Sequence, residues 1–246
     1  MNICHITHSP EDRHLFLHFW GCNFKCHGCI RRKDIRDTHL KEAHQQLFDR
    51  QPNHDEKPAC FLDMTELQQY LQGKDFSRVT FMGMEPTLDP DLTTVAAWLH
   101  ENFATHNVLL TNGHKTVPLA HFDEVVVSIK AMDDAIHLAY TGVSNQNTLN
   151  NFVRYHKSGI KLRAESVYIP EYIDNREIKR IAEFIAGVNE NIPYRIDAFV
   201  PFGDTSWRRP AFEEMDDAVA LASRYLNTVS CLKGCENVKN EVTRVY

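Results

Sequence analysis

The sequence predicts an α/β fold, a partial (β/α)6 barrel, and three observations carry that expectation. Strand-length apolar runs alternate with segments of helical period along most of the chain. Such alternation implies parallel strands joined by right-handed crossovers, and six units make a partial barrel rather than a closed eight-unit one. The sequence's most distinctive polar motifs also fall at or just past the ends of the apolar runs, where the active site of such a barrel belongs.

The first strand is expected over 15–20, directly before three cysteines, and a helix over 64–72 precedes the second strand at 78–82. Glu85-Pro86 then makes a turn, and Asp91 is placed to cap a helix over 91–103. A strand over 107–111 ends at Asn112-Gly113, and another spans 124–129. Helices over 133–140 and 148–157 lead to a strand at 161–167, a helix at 175–188, a strand at 196–200 and a helix at 212–226. One domain covers 1–246, with a core of about 12–205 and a helical extension over 206–246. Residues 31–63 differ: Arg31-Arg32-Lys33-Asp34 and a His/Gln/Asp-rich tract ending at Pro58 read as a solvated helix and loop, either a partner-facing lid or plain surface. After Leu226 no periodicity stands out.

A chain of 246 residues buries a substantial core. Its formal charge is −6, with no dense Lys/Arg block, which argues against tracking a nucleic-acid backbone. The apolar runs fall far short of the roughly 20 residues of a membrane span. The start, Met1-Asn2-Ile3-Cys4-His5, lacks a basic region followed by an apolar block, so no secretion signal is expected. These features predict a cytoplasmic protein. Seven cysteines, three of them closely spaced, point to metal rather than disulfides.

Those three stand in Phe19-Trp20-Gly21-Cys22-Asn23-Phe24-Lys25-Cys26-His27-Gly28-Cys29, with C-x3-C-x2-C spacing. Three thiolates on one loop can each bind an iron of a cubic 4Fe–4S cluster and leave the fourth iron open for chemistry. The spacing resembles that of the radical S-adenosylmethionine (SAM) enzymes. Met82-Gly83-Met84-Glu85-Pro86 then resembles their Gly-Gly-Glu-Pro segment. Leu110-Thr111-Asn112-Gly113, Ser128-Ile129-Lys130, Gly142-Val143-Ser144-Asn145, Arg163 and Tyr168-Ile169-Pro170 resemble the glycyl-radical-activating enzymes, such as the pyruvate formate-lyase activating enzyme. The likeness runs from roughly residue 12 to residue 205.

The resemblance implies a radical SAM type of partial barrel, a 4Fe–4S cluster on Cys22, Cys26 and Cys29, and SAM on the open iron. It implies an oxygen-sensitive, anaerobic enzyme that takes an electron from a flavodoxin or ferredoxin. The 5′-deoxyadenosyl radical formed from SAM would abstract hydrogen from a glycine of a glycyl radical enzyme partner. Hydrogen abstraction from a small molecule, a peptide or another protein residue is the competing reading. A non-catalytic cluster carrier is a third, and it leaves Glu85, Lys130 and Arg163 without a use.

Within the resemblance, Glu85 accepts the SAM ammonium; the alternative is an N-terminal helix charge. Gly83 lets the backbone approach the methionine moiety, and Met84 departs from the family's second glycine, so its side chain needs room and its φ stays negative. Lys130 would meet the SAM carboxylate or ribose from the barrel mouth, with Ser128 on the same side of the strand. Arg163, at an inward position, is a second carboxylate binder. For Asn112 a turn role competes with SAM contact. Gly28 replaces the aromatic residue that usually covers the adenine, so His27 or the Ile30 backbone is left for that task. Leu110 and Ser128 replace aspartates of a monovalent-cation site, which puts that site in doubt. The Asp-Gly-Pro-Gly stretch that normally precedes the first strand is replaced by Ser9-Pro10-Glu11-Asp12. Cys231 and Cys235 form a C-x3-C pair open to two readings, buried inert thiols or ligands to a second metal.

Overall fold

The computed structural model describes residues 1–32, 37, 39–40, 57–58, 60–201, 205–234 and 240–246. Among these residues nine strands form one sheet: β1 (Ile3–Ser9), β2 (His14–Phe19), β3 (Arg78–Gly83), β4 (His106–Thr111), β5 (Glu124–Ser128), β6 (Lys161–Tyr168), β7 (Tyr194–Ala198), β8 (Val229–Leu232) and β9 (Thr243–Arg244). Their spatial order is β8-β7-β6-β5-β4-β3-β2-β1-β9. From β2 to β8 every neighbouring pair is parallel, whereas β1 runs antiparallel to both β2 and β9. With β8 and β9 as its two edges, the sheet stays open, as a partial barrel requires.

Among the described residues six α-helices follow from the alternation: α1 (Met64–Leu71), α2 (Leu92–Phe103), α3 (Asp134–Thr141), α4 (Gln146–Lys157), α5 (Asn175–Asn189) and α6 (Phe212–Ala222). Short polar side chains start several of them. Asp63 accepts the Glu66 N–H at 2.8 Å while Glu66 accepts the Asp63 N–H, a reciprocal cap on α1. Asp133 and Asp174 cap α3 and α5 in the simpler way. Asp91 holds the N-cap position of α2 without a side-chain cap bond; its own N–H goes to Asp89 at 2.8 Å.

Period-two alternation sorts the strand side chains onto two faces. Leu15, Leu17, Val79, Phe81, Leu109, Val125, Val127, Leu162, Ala164 and Ile196 join the core with Val95 and Leu99 of α2 and Ile178, Ile181 and Ile185 of α5. Each such buried side chain contributes roughly 1.5–3 kcal/mol relative to exposure. The residues between them, including Phe16, Thr80, Met82, Ser128, Glu165 and Asp197, face the concave side. A barrel core therefore leaves a polar lumen beside an apolar outer layer.

The six expected strands are β2–β7. Three strands lie outside that expectation. All seven residues of β1 are buried, His5, Thr7, His8 and Ser9 among them, so its polarity conceals a core strand. The extension is not simply helical either: α6 ends at Ala222, and β8 and β9 then complete the two sheet edges. Most of the expected lid over 31–63 lies outside the described residues, as does Cys235.

Candidate active site

The three cysteines lie on the loop that leaves β2, beside the carboxyl ends of β3 and β4. Gly21, at φ +99°, turns the chain out of the sheet. The Lys25 and His27 N–H groups donate to the Thr141 and Tyr140 carbonyls at 2.7 and 3.1 Å, tying the loop to the last turn of α3. Phe24, 2 % exposed, plugs the loop underneath and meets the His114 and His137 rings edge-on. The loop is thus held at both ends by backbone and in the middle by packing.

The segment after β3 is knitted to the residues just before Cys22. Gly83 takes φ +104°, and a Cβ there would lie 2.6 Å from the Phe19 nitrogen and 2.8 Å from its oxygen. Glycine is required at this point by the neighbouring strand itself. Met84 donates its N–H to the Phe19 carbonyl, and Glu85 donates to Gly21, both at 3.0 Å. The Met84 side chain finds room by accepting the Gly21 N–H on Sδ at 3.0 Å, and its φ is not positive.

Glu85 is 1 % exposed. Its Oε1 accepts from the Thr87 N–H, the Thr87 hydroxyl and the Thr111 hydroxyl, and its Oε2 accepts from the Asn112 N–H. Burial pushes the carboxyl up, and these four donors pull it back toward the ionised form. The arrangement straps the end of β3 to the end of β4. Asn112 carries the strap onward: its Nδ2 donates to Asn23 at 2.8 Å and lies 3.8 Å from Cys22 Sγ, while its Oδ1 accepts the His114 N–H. Its turn role is therefore visible, combined with a hold on the cysteine loop.

The thiols of Cys22, Cys26 and Cys29 sense one another electrostatically. Burial pushes Cys26 up to about 12 and raises Cys22 as well, and the neighbouring thiols add to both shifts. Lys130, two residues past the end of β5, opposes both shifts, so its ammonium lies near the cysteine loop. Lys130 Nζ donates to Ser128 Oγ at 2.6 Å, on the side of the strand where the two were expected together. Cys22 Sγ also accepts the Phe24 N–H at 3.3 Å. Three thiols on one loop, N–H donors on a sulfur and a nearby cation fit a thiolate-bound, anionic cluster. Among the described residues no three His, Cys, Asp or Glu side chains converge on a single ion position.

Arg163 faces the lumen but at its other end. It forms an ion pair with Glu124 Oε1, and Glu124 also meets Lys161 at 3.0 Å, His106 at 3.4 Å and Arg78 at 3.6 Å. These residues stand at the amino ends of β3–β6, so Arg163 already has a protein carboxylate, away from the cysteine loop.

Two groups at the mouth escaped sequence reasoning. On the wall, Arg195 donates to Asp197 at 2.8 and 2.9 Å and to Glu165 at 2.7 Å. Burial, then Glu165, push the Asp197 carboxyl up to about 6, against Arg195 and Lys130. Charged residues at alternate positions of apolar strands were the available signal. At the rim, Trp207 stacks on Tyr172 at 4.7 Å and meets Tyr140 and Phe199. Phe199 covers Gly28, where an added Cβ would sit 3.0 Å from its ring. His27 is exposed, 6.4 Å from Trp207.

The sequence profile of the radical SAM superfamily matches residues 16–185. The chain is 27 % identical over 240 residues to MJ1632 of Methanocaldococcus jannaschii, provisionally named a glycyl-radical enzyme activating enzyme, covering 94 % of this chain and 84 % of that protein. A domain of the pyruvate-formate lyase-activating enzyme from Bacteroides vulgatus superposes with a TM-score of 0.55 at 19 % identity, over 63 % of this chain and 98 % of that one. SuiB of Streptococcus suis, bound to SAM, gives 0.58 at 12 % identity, over 89 % of this chain and 46 % of SuiB. These structural likenesses concern the fold. No described helix is long and apolar enough to cross a membrane.

Proposed function

The chain belongs to the radical SAM superfamily, whose members use a 4Fe–4S cluster and SAM, and on that premise we propose that it is a glycyl-radical-activating enzyme. The observation that carries this reading is the hydrogen-bonded unit of the cysteine loop, Gly83–Glu85 and Asn112, opening on a lumen that holds Lys130. Similarity to MJ1632 over most of both chains supports the glycine target.

When bound, the cluster supplies one electron to SAM, which then supplies a carbon radical able to take a hydrogen atom. This chain's residues do the rest. Cys22, Cys26 and Cys29 would each hold an iron and leave one iron for SAM. Lys130, its ammonium held by Ser128, answers the SAM carboxylate or ribose. Gly83 and Met84 bring backbone to the edge of the same loop, and Glu85 keeps that edge in place. The Trp207–Tyr172–Phe199 rim excludes water where an exposed radical would react with whatever lies nearest. Electrons would come from a flavodoxin or ferredoxin, and an anaerobic, cytoplasmic setting goes with the reading. Leu110 and Ser128, in place of the aspartates of the cation site, favour a second reading in which the same step acts on another protein, a peptide or a small molecule.

The test is anaerobic. Reconstituted, reduced protein with SAM should release 5′-deoxyadenosine, and Cys26→Ala should abolish it. Adding a glycyl radical protein encoded beside this gene should produce a glycyl doublet by electron paramagnetic resonance. Product without a doublet moves the assignment to the second reading; an intact cluster without product ends both.

A further inference from the structure

We propose that Glu165 and Asp197, held in place by Arg195, orient the substrate by accepting an amide N–H next to the carbon that loses hydrogen. The proposal rests on the hydrogen-abstracting function above and adds the group that selects its target. Glu165 lies opposite Ser128 in the β5–β6 register, and Ser128 holds Lys130. Asp197 lies opposite Val167 on the next strand pair. The cluster therefore occupies the wall at the level of Lys130, facing the volume beside the cysteine loop.

Its side chains remain open to that volume, at 12 % exposure for Glu165, 31 % for Asp197 and 37 % for Arg195. Two carboxylates offer about eight acceptor positions in all, and Arg195 fills three of them. Acceptor capacity is thus in excess, and a ligand that brings donors fits it better than a carboxylate does. Burial has already made ionisation of Asp197 difficult, so an N–H donor would be welcome there. A purely structural role accounts poorly for the trio, because charges drawn partly out of water add little net stability. In the step served, the substrate C–H bond breaks homolytically, the hydrogen atom joins C5′ of the adenosyl group, and the unpaired electron stays on the substrate carbon.

Two probes separate the possibilities: N-acetylglycine N-methylamide deuterated at Cα, and the ester counterpart in which oxygen replaces the glycine N–H. Binding is read by NMR line broadening on oxidised, cluster-loaded protein with SAM, where no turnover occurs. The amide should bind about tenfold or more tightly than the ester, as expected for a hydrogen bond to a charged acceptor. Asp197→Asn and Glu165→Gln should each erase most of that preference; should one variant fail to fold, the other reads the same property. After reduction, deuterium from the amide should enter 5′-deoxyadenosine. The proposal is overturned if the preference survives in the variants, or if the wild type binds neither probe. It is overturned equally if the variants lose SAM affinity by calorimetry, which would place the trio in the SAM site. Absence of 5′-deoxyadenosine from reduced wild type would instead sink the broader function while leaving the binding result readable.

Discussion

Gly83 shows how a single residue can be constrained from two directions. Its φ of +104° is unfavourable for any side chain, and the atoms a Cβ would strike belong to the Phe19 backbone, which has no rotamer to change. Gly83→Ala should therefore cost about 3 kcal/mol or more, by urea denaturation, because conformational strain and a backbone clash add. Gly159→Ala is the control: φ is +79° there, yet nothing lies within 4 Å of the added carbon. Its cost should be about 1 kcal/mol. Equal losses in the two variants would show that φ alone matters and the strand contact does not. The need for glycine was legible in the motif, although its cause was assigned to a ligand and the structure supplies a neighbouring strand. Arg163 illustrates the opposite case. Strand period placed it on the inward face, but no local pattern names Glu124 as its partner, because parallel strands set that pairing through the register of β5 and β6.

At the level of elements, the ends of β3 and β4 are joined by one carboxylate rather than by continued ladder bonds. Removing the Glu85 side chain leaves the Asn112 N–H and the Thr87 and Thr111 donors without their acceptor in a buried place. Glu85→Ala should cost about 3 kcal/mol. It should also loosen Asn112 from Asn23, so iron retained after desalting should fall relative to wild type. Unchanged melting with lost SAM binding would show instead that the carboxylate serves the ligand and not the scaffold. The elements themselves were readable where hydrophobic period was strong: the buried alternate residues of β2–β7 and the apolar stripe of α5 announce themselves. β1 was not readable because its buried positions carry His5, Thr7 and His8. Their partners are remote in sequence: Thr7 meets Asp37 at 2.6 Å, His8 the Asp75 carbonyl at 3.0 Å, and His5 Nδ1 the Tyr246 main-chain oxygen at 2.7 Å. β8 is four residues long, too short for any period to show.

Across the whole molecule the lumen is divided by charge and by role. The carboxyl ends of the strands carry the cysteine loop, Lys130 and the Glu165–Arg195–Asp197 wall, while the amino ends carry Glu124 among Arg78, His106, Lys161 and Arg163. In barrels of parallel strands the first end performs chemistry and the second maintains the fold. Glu124 is fully buried, so burial alone would raise its carboxyl; Lys161 and Arg163 outweigh that and hold it below the ordinary value of 4.5. A depressed carboxyl contributes stability above the unfolded-state value and loses it as pH falls toward the folded one. Glu124→Gln should therefore cost about 2 kcal/mol near neutrality, where it leaves four basic groups sharing no charge. The variant should also lack the wild type's loss of stability below about 4.5 that this carboxyl causes. Urea midpoints at pH 7 and pH 3 test this directly, because wild type and variant should converge at the lower pH. A difference of the same size at both values would mean that Glu124 acts through packing alone.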